Sequence, residues 1–131
     1  MKKITMLAFL AAGLFSSCGS KNEVEVGFKT TMTVESVFDA GKVAKGEVIQ
    51  AKFNVENTGD SPLILSDVKG SCSCTVADWS KDPIAPGKTG YIKAEVNTQE
   101  FQFGPITRSI TVLANTTPAA TKIAVKANII K

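Results

Sequence analysis

The chain has 131 residues, of which 15 are basic and 12 acidic, and it contains no histidine. A chain without histidine cannot build a Ser-His-Asp or Cys-His catalytic centre, a His-ligated zinc site or a histidine pH switch. The basic excess includes Lys2 and Lys3, which fall in a leader segment, so we expect no nucleic-acid partner. The acidic residues Asp78 and Asp82 are predicted to lie exposed in a loop around Trp79, and we expect no enzyme activity.

Residues 1–17 have the composition of a bacterial export signal. Lys2 and Lys3 are followed by an apolar stretch and then by Ser16, Ser17 and Cys18. The apolar stretch is shorter than the roughly 20 residues that span a bilayer, so it predicts a cleaved signal peptide rather than a membrane anchor. The small-small-cysteine junction resembles the lipobox of bacterial lipoproteins, and this resemblance implies that Cys18 is lipidated. Several acyl chains, such as palmitate, on one residue give stable anchoring.

This leader predicts a domain that is held outside the inner membrane. Residues 18–30 are expected to form the lipidated cysteine and its tether, and residues 31–131 the folded domain. The tether lacks the acidic residue at the second position after Cys18 that is the familiar cue for retention in the inner membrane. We therefore expect an outer-membrane lipoprotein of the cell envelope, on either the periplasmic or the surface face.

Beyond the tether, apolar and polar residues alternate with a period of two, which is typical of β-strands. The clearest runs are residues 48–55, 91–96, 110–114 and 123–129, and less regular runs cover residues 31–38 and 63–68. The sequence shows no sustained helical spacing. About seven short strands separated by turns predict an antiparallel β-sandwich of the immunoglobulin type, with a Greek-key barrel as the alternative.

Three turn segments separate these runs. The first starts at Asn57 and contains Gly59, and both residues tolerate a positive φ. The second contains Pro86-Gly87, which suits a type II turn in which Gly takes the position of positive φ. The third covers residues 115–118 and predicts a hairpin-like return between the last two runs.

The order of these landmarks carries a family resemblance. In chain order they are residues 37–43 (VFDAGKV), Asn57-Thr58-Gly59, residues 71–75 (SCSCT), Pro86-Gly87 and Asn97-Thr98. The series, over roughly residues 36–129, resembles the bacterial family catalogued as Domain of Unknown Function 1573, common in lipoproteins and secreted proteins of the Bacteroidetes. The resemblance implies an immunoglobulin-like fold, akin to domains of pilus chaperones and cilium-associated proteins, and implies no established activity. Ser73 stands where the family usually has Gly, and Ala40 where it usually has an aromatic residue.

Cys72 and Cys74 are the chemically distinctive pair of the expected mature domain. In a regular strand their Cα atoms would lie about 6.5–7 Å apart. That distance is at the outer limit for a disulfide, so a bridge needs a bend and would be strained and readily reduced. Three interpretations stay open: two small thiols packed in the core, a local disulfide formed in an oxidising compartment, and a soft-metal site in which two thiolates hold Cu(I). No other cofactor is expected.

Three aromatic residues are candidates for contact with a partner. Trp79 either packs half-buried against the cysteine segment, which we favour, or stands in the following loop as a contact residue. Phe101 and Phe103 precede Gly104-Pro105 in a loop or edge strand. There a ring either covers the end of the sandwich or meets a partner.

Two functional hypotheses follow from these patterns. The leading one is a lipid-anchored, non-enzymatic immunoglobulin-like module, of open oligomeric state, that binds an envelope protein or polymer through loops or an exposed strand edge. The second is periplasmic copper handling or thiol redox chemistry at Cys72 and Cys74.

Overall fold

Alternating side chains build eight β-strands in the computed structural model, which describes residues 28–71 and 74–131. The strands are β1 (Met32–Val34), β2 (Val37–Ala44), β3 (Val48–Asn57), β4 (Leu65–Gly70), β5 (Cys74–Trp79), β6 (Thr89–Asn97), β7 (Gly104–Ala114) and β8 (Ala120–Ile130). They form two four-stranded sheets, in the orders β1-β3-β6-β5 and β2-β8-β7-β4. Every pairing is antiparallel except that of β2 with β8. The predicted immunoglobulin-like β-sandwich is therefore confirmed, with one strand more than the sequence predicts.

The leader falls outside this description. The predicted signal peptide, Cys18 and most of the tether lie outside the described residues, and so do Cys72 and Ser73. The described chain begins at Phe28, whose carbonyl oxygen accepts a hydrogen bond from the Asn115 side chain at 3.0 Å. Within residues 28–71 and 74–131, no helix is long and apolar enough to cross a membrane.

The core lies between the two sheets and is made of apolar side chains that point inward from alternate strand residues. In β3, Phe53 and Val55 are fully buried while Asn54 between them is exposed. Ile92 of the same sheet and Ile110 of the opposite sheet are equally buried. Burial of one such side chain stabilises the fold by about 1.5–3 kcal/mol. The summed burial of the inward side chains is therefore the main contribution that holds the two sheets together.

Two segments differ from the pattern read in the sequence. Residues 31–38, which predict one bent strand, form β1 and the start of β2, and these lie in different sheets because the chain crosses between them at residues 35–36. The loop predicted around Trp79 is instead the end of β5, so Asp78 lies in a strand and is half-buried. Asp82 lies exposed in the following loop, as predicted.

The fully buried side chain of Asn57 organises the end of β3. Its Oδ1 accepts hydrogen bonds from the Thr30 hydroxyl at 2.8 Å and from the Gly59 N–H at 3.1 Å. Its Nδ2 donates to the carbonyl oxygens of Ser61 at 2.7 Å and Ile84 at 2.8 Å. Both amide hydrogens and both oxygen lone pairs are therefore used. They join the segment before β1, the turn after β3 and the loop before β6.

The two glycine turns meet different requirements. Gly87 has a φ of +76° in a turn closed by the Lys88 N–H and the Ala85 carbonyl at 3.0 Å, as predicted for a type II turn. Gly59 does not use its freedom in φ. A Cβ at Gly59 would lie 2.7 Å from the backbone nitrogen of Thr31, so this turn needs glycine for close packing.

We predict that Asn57→Ala lowers the free energy of unfolding by about 3 kcal/mol, because it removes the acceptor of the Thr30 hydroxyl and the Gly59 N–H and the donor to the Ser61 carbonyl. Asn54→Ala is the matched control, since Asn54 lies exposed on the same strand, and it should change stability by less than about 0.5 kcal/mol. Urea unfolding followed by the fluorescence of Trp79, the only tryptophan, measures both values. Equal losses in the two variants would contradict the role of Asn57.

Candidate functional site

The cysteine pair is only partly described. Cys72 lies outside the described residues, and of Cys74 only the backbone is described, at the start of β5 opposite Val96. Among the residues that the structure describes, no three His, Cys, Asp or Glu side chains come together as a metal site. The packed thiols, the disulfide and the Cu(I) site therefore stay predictions.

A β-bulge in β5 decides where Trp79 points. Val76 and Asp78 are paired with consecutive residues of β6, so β5 has one extra residue between them. After the bulge, Trp79 lies opposite the buried Ile92 and packs against the core while remaining half-buried. Its indole N–H donates to the Leu65 carbonyl oxygen of β4 at 3.4 Å. Trp79 is therefore half-buried and joins the edges of the two sheets.

Phe101 and Phe103 lie in different environments. Phe101 is only 6% exposed, and the guanidinium carbon of Arg108 lies 4.4 Å from its ring centroid. Phe103 is 57% exposed, with the Lys45 Nζ 5.4 Å from its ring centroid. A buried ring offers little surface to a partner, so Phe103 is the one of this pair that remains a contact candidate. Both follow the end of β6 whereas Trp79 lies beside its beginning, so the three candidates do not form one site.

A polar pair joins β5 and β6 at the same end as Trp79. The Tyr91 hydroxyl donates to Asp78 Oδ2 at 2.7 Å, and the Trp79 N–H donates to Asp78 Oδ1 at 2.9 Å. The hydrogen bond from Tyr91 is the main cause that lowers the pKa of Asp78, because it stabilises the carboxylate. The same bond raises the pKa of the Tyr91 phenol. At neutral pH the carboxylate is therefore ionised and held in one orientation.

Sequence reasoning missed this pair because no local motif connects Asp78 with Tyr91. The sequence offers one indication. Tyr91 begins the alternating run of β6 among the residues that point to the solvent face, where it can contact a polar residue of a neighbouring strand. That signal becomes useful only when the pairing register is known. The bulge in β5 shifts the register by one residue.

The Asp78–Tyr91 pair lines an open groove of about 610 Å³, which we call the β5–β6 groove. The groove is bounded by the end of β5, the loop of residues 80–88 and the start of β6. The ammonium group of Lys81 lies over the ring of Trp79, and the exposed Asp82 lies on the rim. An aromatic ring, a fixed carboxylate and exposed charges suit the binding of a polar or charged group.

Comparison with known families finds a match over the whole sandwich. A family model described as a protein of unknown function (DUF1573) matches residues 31–129. The chain belongs to this family. None of the curated proteins matches the chain. The resemblance read from the landmark residues is therefore confirmed over nearly the same range.

Solved structures share the fold of this DUF1573 domain. It is similar to a protein of unknown function from Porphyromonas gingivalis W83, at 24% identity and TM-score 0.67, over 76% of this chain and 47% of that one. It is similar to PapD-like domain 7 of human CEP192, at 10% identity and TM-score 0.57, over 79% of this chain and 87% of that one. It is also similar to the secreted serine protease VesC from Vibrio cholerae, at 12% identity and TM-score 0.62, over 76% of this chain and 23% of that one. The DUF1573 chain thus spans about half of the P. gingivalis protein. These likenesses show an immunoglobulin-like, PapD-like fold.

We predict that Tyr91 titrates above the ordinary tyrosine pKa of about 10, because its ionisation breaks the bond to Asp78 and brings two negative charges together. Asp78→Asn should return the pKa of Tyr91 towards the ordinary value. Tyr91 is the only tyrosine, so the ultraviolet absorbance of tyrosinate against pH measures this pKa directly.

Asp82→Asn is the matched control for this titration. Asp82 raises the pKa of Tyr91 only through its charge, so its removal should lower the Tyr91 pKa less than the loss of Asp78 does. A Tyr91 pKa that Asp78→Asn leaves unchanged would contradict the pair.

Proposed function

We propose that the chain is a lipid-anchored, non-catalytic interaction module of the bacterial cell envelope that binds a partner protein by accepting an extended strand along β3. The observation that carries this proposal is the open edge of β3. Along residues 48–54 a regular strand has no neighbouring strand on one side among the described residues. The immunoglobulin-like, PapD-like fold supports the proposal as a frame that can present such an edge.

The open edge is the side of β3 that faces away from β6. β1 pairs with β3 only over Val55–Asn57, and in the described part of the chain no other strand lies on that side. Backbone groups of successive strand residues point to alternate sides. Those of Asn57 point towards β6, since the Asn57 N–H donates to the Lys88 carbonyl oxygen. The even-numbered residues therefore face the open side: Val48, Gln50, Lys52 and Asn54.

β3 differs from the other edge strands in its regularity. It pairs with β6 in nine consecutive pairs without a register shift. β2, β4 and β5 each contain a β-bulge. At the edge of β4, the Leu65 carbonyl oxygen already accepts a hydrogen bond from the indole N–H of Trp79. Bulges and blocking groups protect sheet edges from unwanted pairing. β1, the remaining edge strand, has only 3 residues, so strand addition fits the regular edge of β3 best.

Side chains along the open edge indicate which residues a partner strand would carry. Val48 is 47% exposed, and Lys52 carries a positive charge in the middle of the edge. A partner strand with an apolar residue opposite Val48 and an acidic residue opposite Lys52 would gain cross-strand contacts at both positions. A polysaccharide has no peptide backbone to continue the sheet, so the open edge favours a protein partner over an envelope polymer.

The lipid anchor limits how far the domain can lie from the membrane. The sequence of residues 1–17 and the position of Cys18 support export and lipidation. An extended segment between Cys18 and Phe28 reaches at most about 35 Å. The open edge then meets proteins that lie in, or close to, the same membrane, which we propose is the outer membrane.

We predict that a photoreactive side chain at position 50 of the full, lipidated chain crosslinks to one envelope protein in cells, because Gln50 flanks the vacant strand position. The same probe at Lys126 is the matched control, since Lys126 is exposed on β8 between two paired strands. Lys52→Pro should abolish the crosslink, because it removes an edge N–H without breaking a bond to β6.

Three results would contradict strand addition at β3. They are equal crosslinking from positions 50 and 126, a crosslink that survives in Lys52→Pro, and no crosslink from position 50 to any protein. Retention of the wild-type unfolding midpoint in Lys52→Pro shows that loss of the crosslink does not come from loss of the fold.

Lipid anchoring has its own test. We predict that Cys18→Ser moves the chain from the membrane fraction to the soluble fraction, because serine offers no thiol for lipid attachment. Ser20→Ala is the matched control and should leave the chain in the membrane fraction, with the mass of the acylated form. Membrane retention of Cys18→Ser would contradict anchoring and leave the strand-edge test unaffected.

A further inference from the structure

The β5–β6 groove already contains a cation that belongs to the chain itself. The ammonium group of Lys81 lies over the ring of Trp79. The Lys93 Nζ lies 5.2 Å from the ring centroid of Tyr91, which also lines the groove. Cations are attracted to the negative faces of aromatic rings, and most strongly to that of tryptophan. Both aromatic rings at this end of the sheet are thus approached by positive charges.

A fixed anion lies beside Tyr91 and lines the same groove as Trp79. The carboxylate of Asp78 accepts one hydrogen bond on each oxygen, from Tyr91 and from the backbone of Trp79. A carboxylate offers about four acceptor positions, so about two remain for an incoming donor. Lys81 and Lys88 also line the groove, but both are exposed and belong to long, flexible side chains that can turn away. The orientation of Asp78 is held, whereas those of the lysines are not.

We propose that the β5–β6 groove binds the guanidinium group of an arginine from a partner polypeptide, which stacks on Trp79 in the place of Lys81 and donates hydrogen bonds to Asp78. A guanidinium is planar, weakly hydrated and able to donate two parallel hydrogen bonds to a carboxylate. The compact, strongly hydrated ammonium of lysine does each of these less well. The volume of about 610 Å³ also leaves room for residues on either side of the arginine.

This inference goes beyond strand addition at β3. The groove lies at β5, on the opposite side of β6 from the open edge, so a partner can engage either surface without the other. Lys81 then acts as an internal competitor for the groove. Once displaced, it is free to pair with an acidic residue near the partner's arginine.

The test uses the full chain and a capped Gly-Arg-Gly peptide, followed by the NMR signal of the Trp79 indole N–H, which is the only one in the chain. We expect a saturable shift with Gly-Arg-Gly and at least several-fold weaker binding of Gly-Lys-Gly. The neutral analogue with citrulline in place of arginine, and Gly-Glu-Gly, should give no saturable shift.

Variants assign the effect to the proposed contacts. Asp78→Asn should weaken binding of the arginine peptide about tenfold, as expected for a lost charge-assisted hydrogen bond. Lys81→Ala should tighten binding a few-fold by removing the competitor. Glu100→Gln is the matched control, because it removes one exposed acidic charge beyond the far end of β6 and should leave binding unchanged.

Several outcomes would overturn the proposal. They are no saturable shift with Gly-Arg-Gly, equal binding of the arginine and citrulline peptides, and equal losses in Asp78→Asn and Glu100→Gln. A saturable shift with an N-acetylglucosamine oligomer in place of the arginine peptide would also overturn it and identify a sugar site. None of these results bears on the crosslink from position 50.

Discussion

The four hydrogen bonds of the Asn57 side chain meet where the segment before β1, the turn after β3 and the loop before β6 come together, and they add to the backbone bonds at this junction. Through Thr30 they set where β1 meets β3, and hence how much of the β3 edge stays open. Through Ile84 they position the loop that forms one wall of the β5–β6 groove. Both proposed binding surfaces therefore border segments that this one buried amide holds in place. A buried polar group with all its partners specifies one arrangement in a way that interchangeable aliphatic contacts do not.

Two other polar side chains act in the same way at other loops. The buried Thr98 donates to the Glu47 carbonyl at 2.6 Å and accepts from the Gly46 N–H at 2.9 Å, which closes the connection from β2 to β3. Asn115 accepts from the Ile64 N–H at 2.7 Å and also donates to the carbonyl at the start of the described chain. Each replaces ladder bonds that the strands cannot make where the chain leaves one sheet for the other.

The sequence predicts the sandwich because alternation is a local property. In β3 the inward phase that contains Phe53 can be read from neighbouring residues alone, as can the turn at Pro86-Gly87. The β5–β6 groove depends instead on pairing between distant strands. Without the bulge, the alternation through Val76 would turn Asp78 inward and Trp79 outward, and the bulge reverses both. A bulge inserts one residue without leaving a signature in composition, so alternation alone does not reveal this site.

The parallel pairing of β2 with β8 joins the beginning of the described chain to its end. The second sheet is incomplete until residues 120–130 are available, so β8 closes the fold. Contacts between such distant segments make folding slow relative to local structures. β8 lies between β2 and β7, so these two strands lack their shared neighbour until it is in place. The same pairing thus makes the domain intolerant of shortening at either end, because loss of β2 or of β8 leaves the second sheet without one of its edges or its centre.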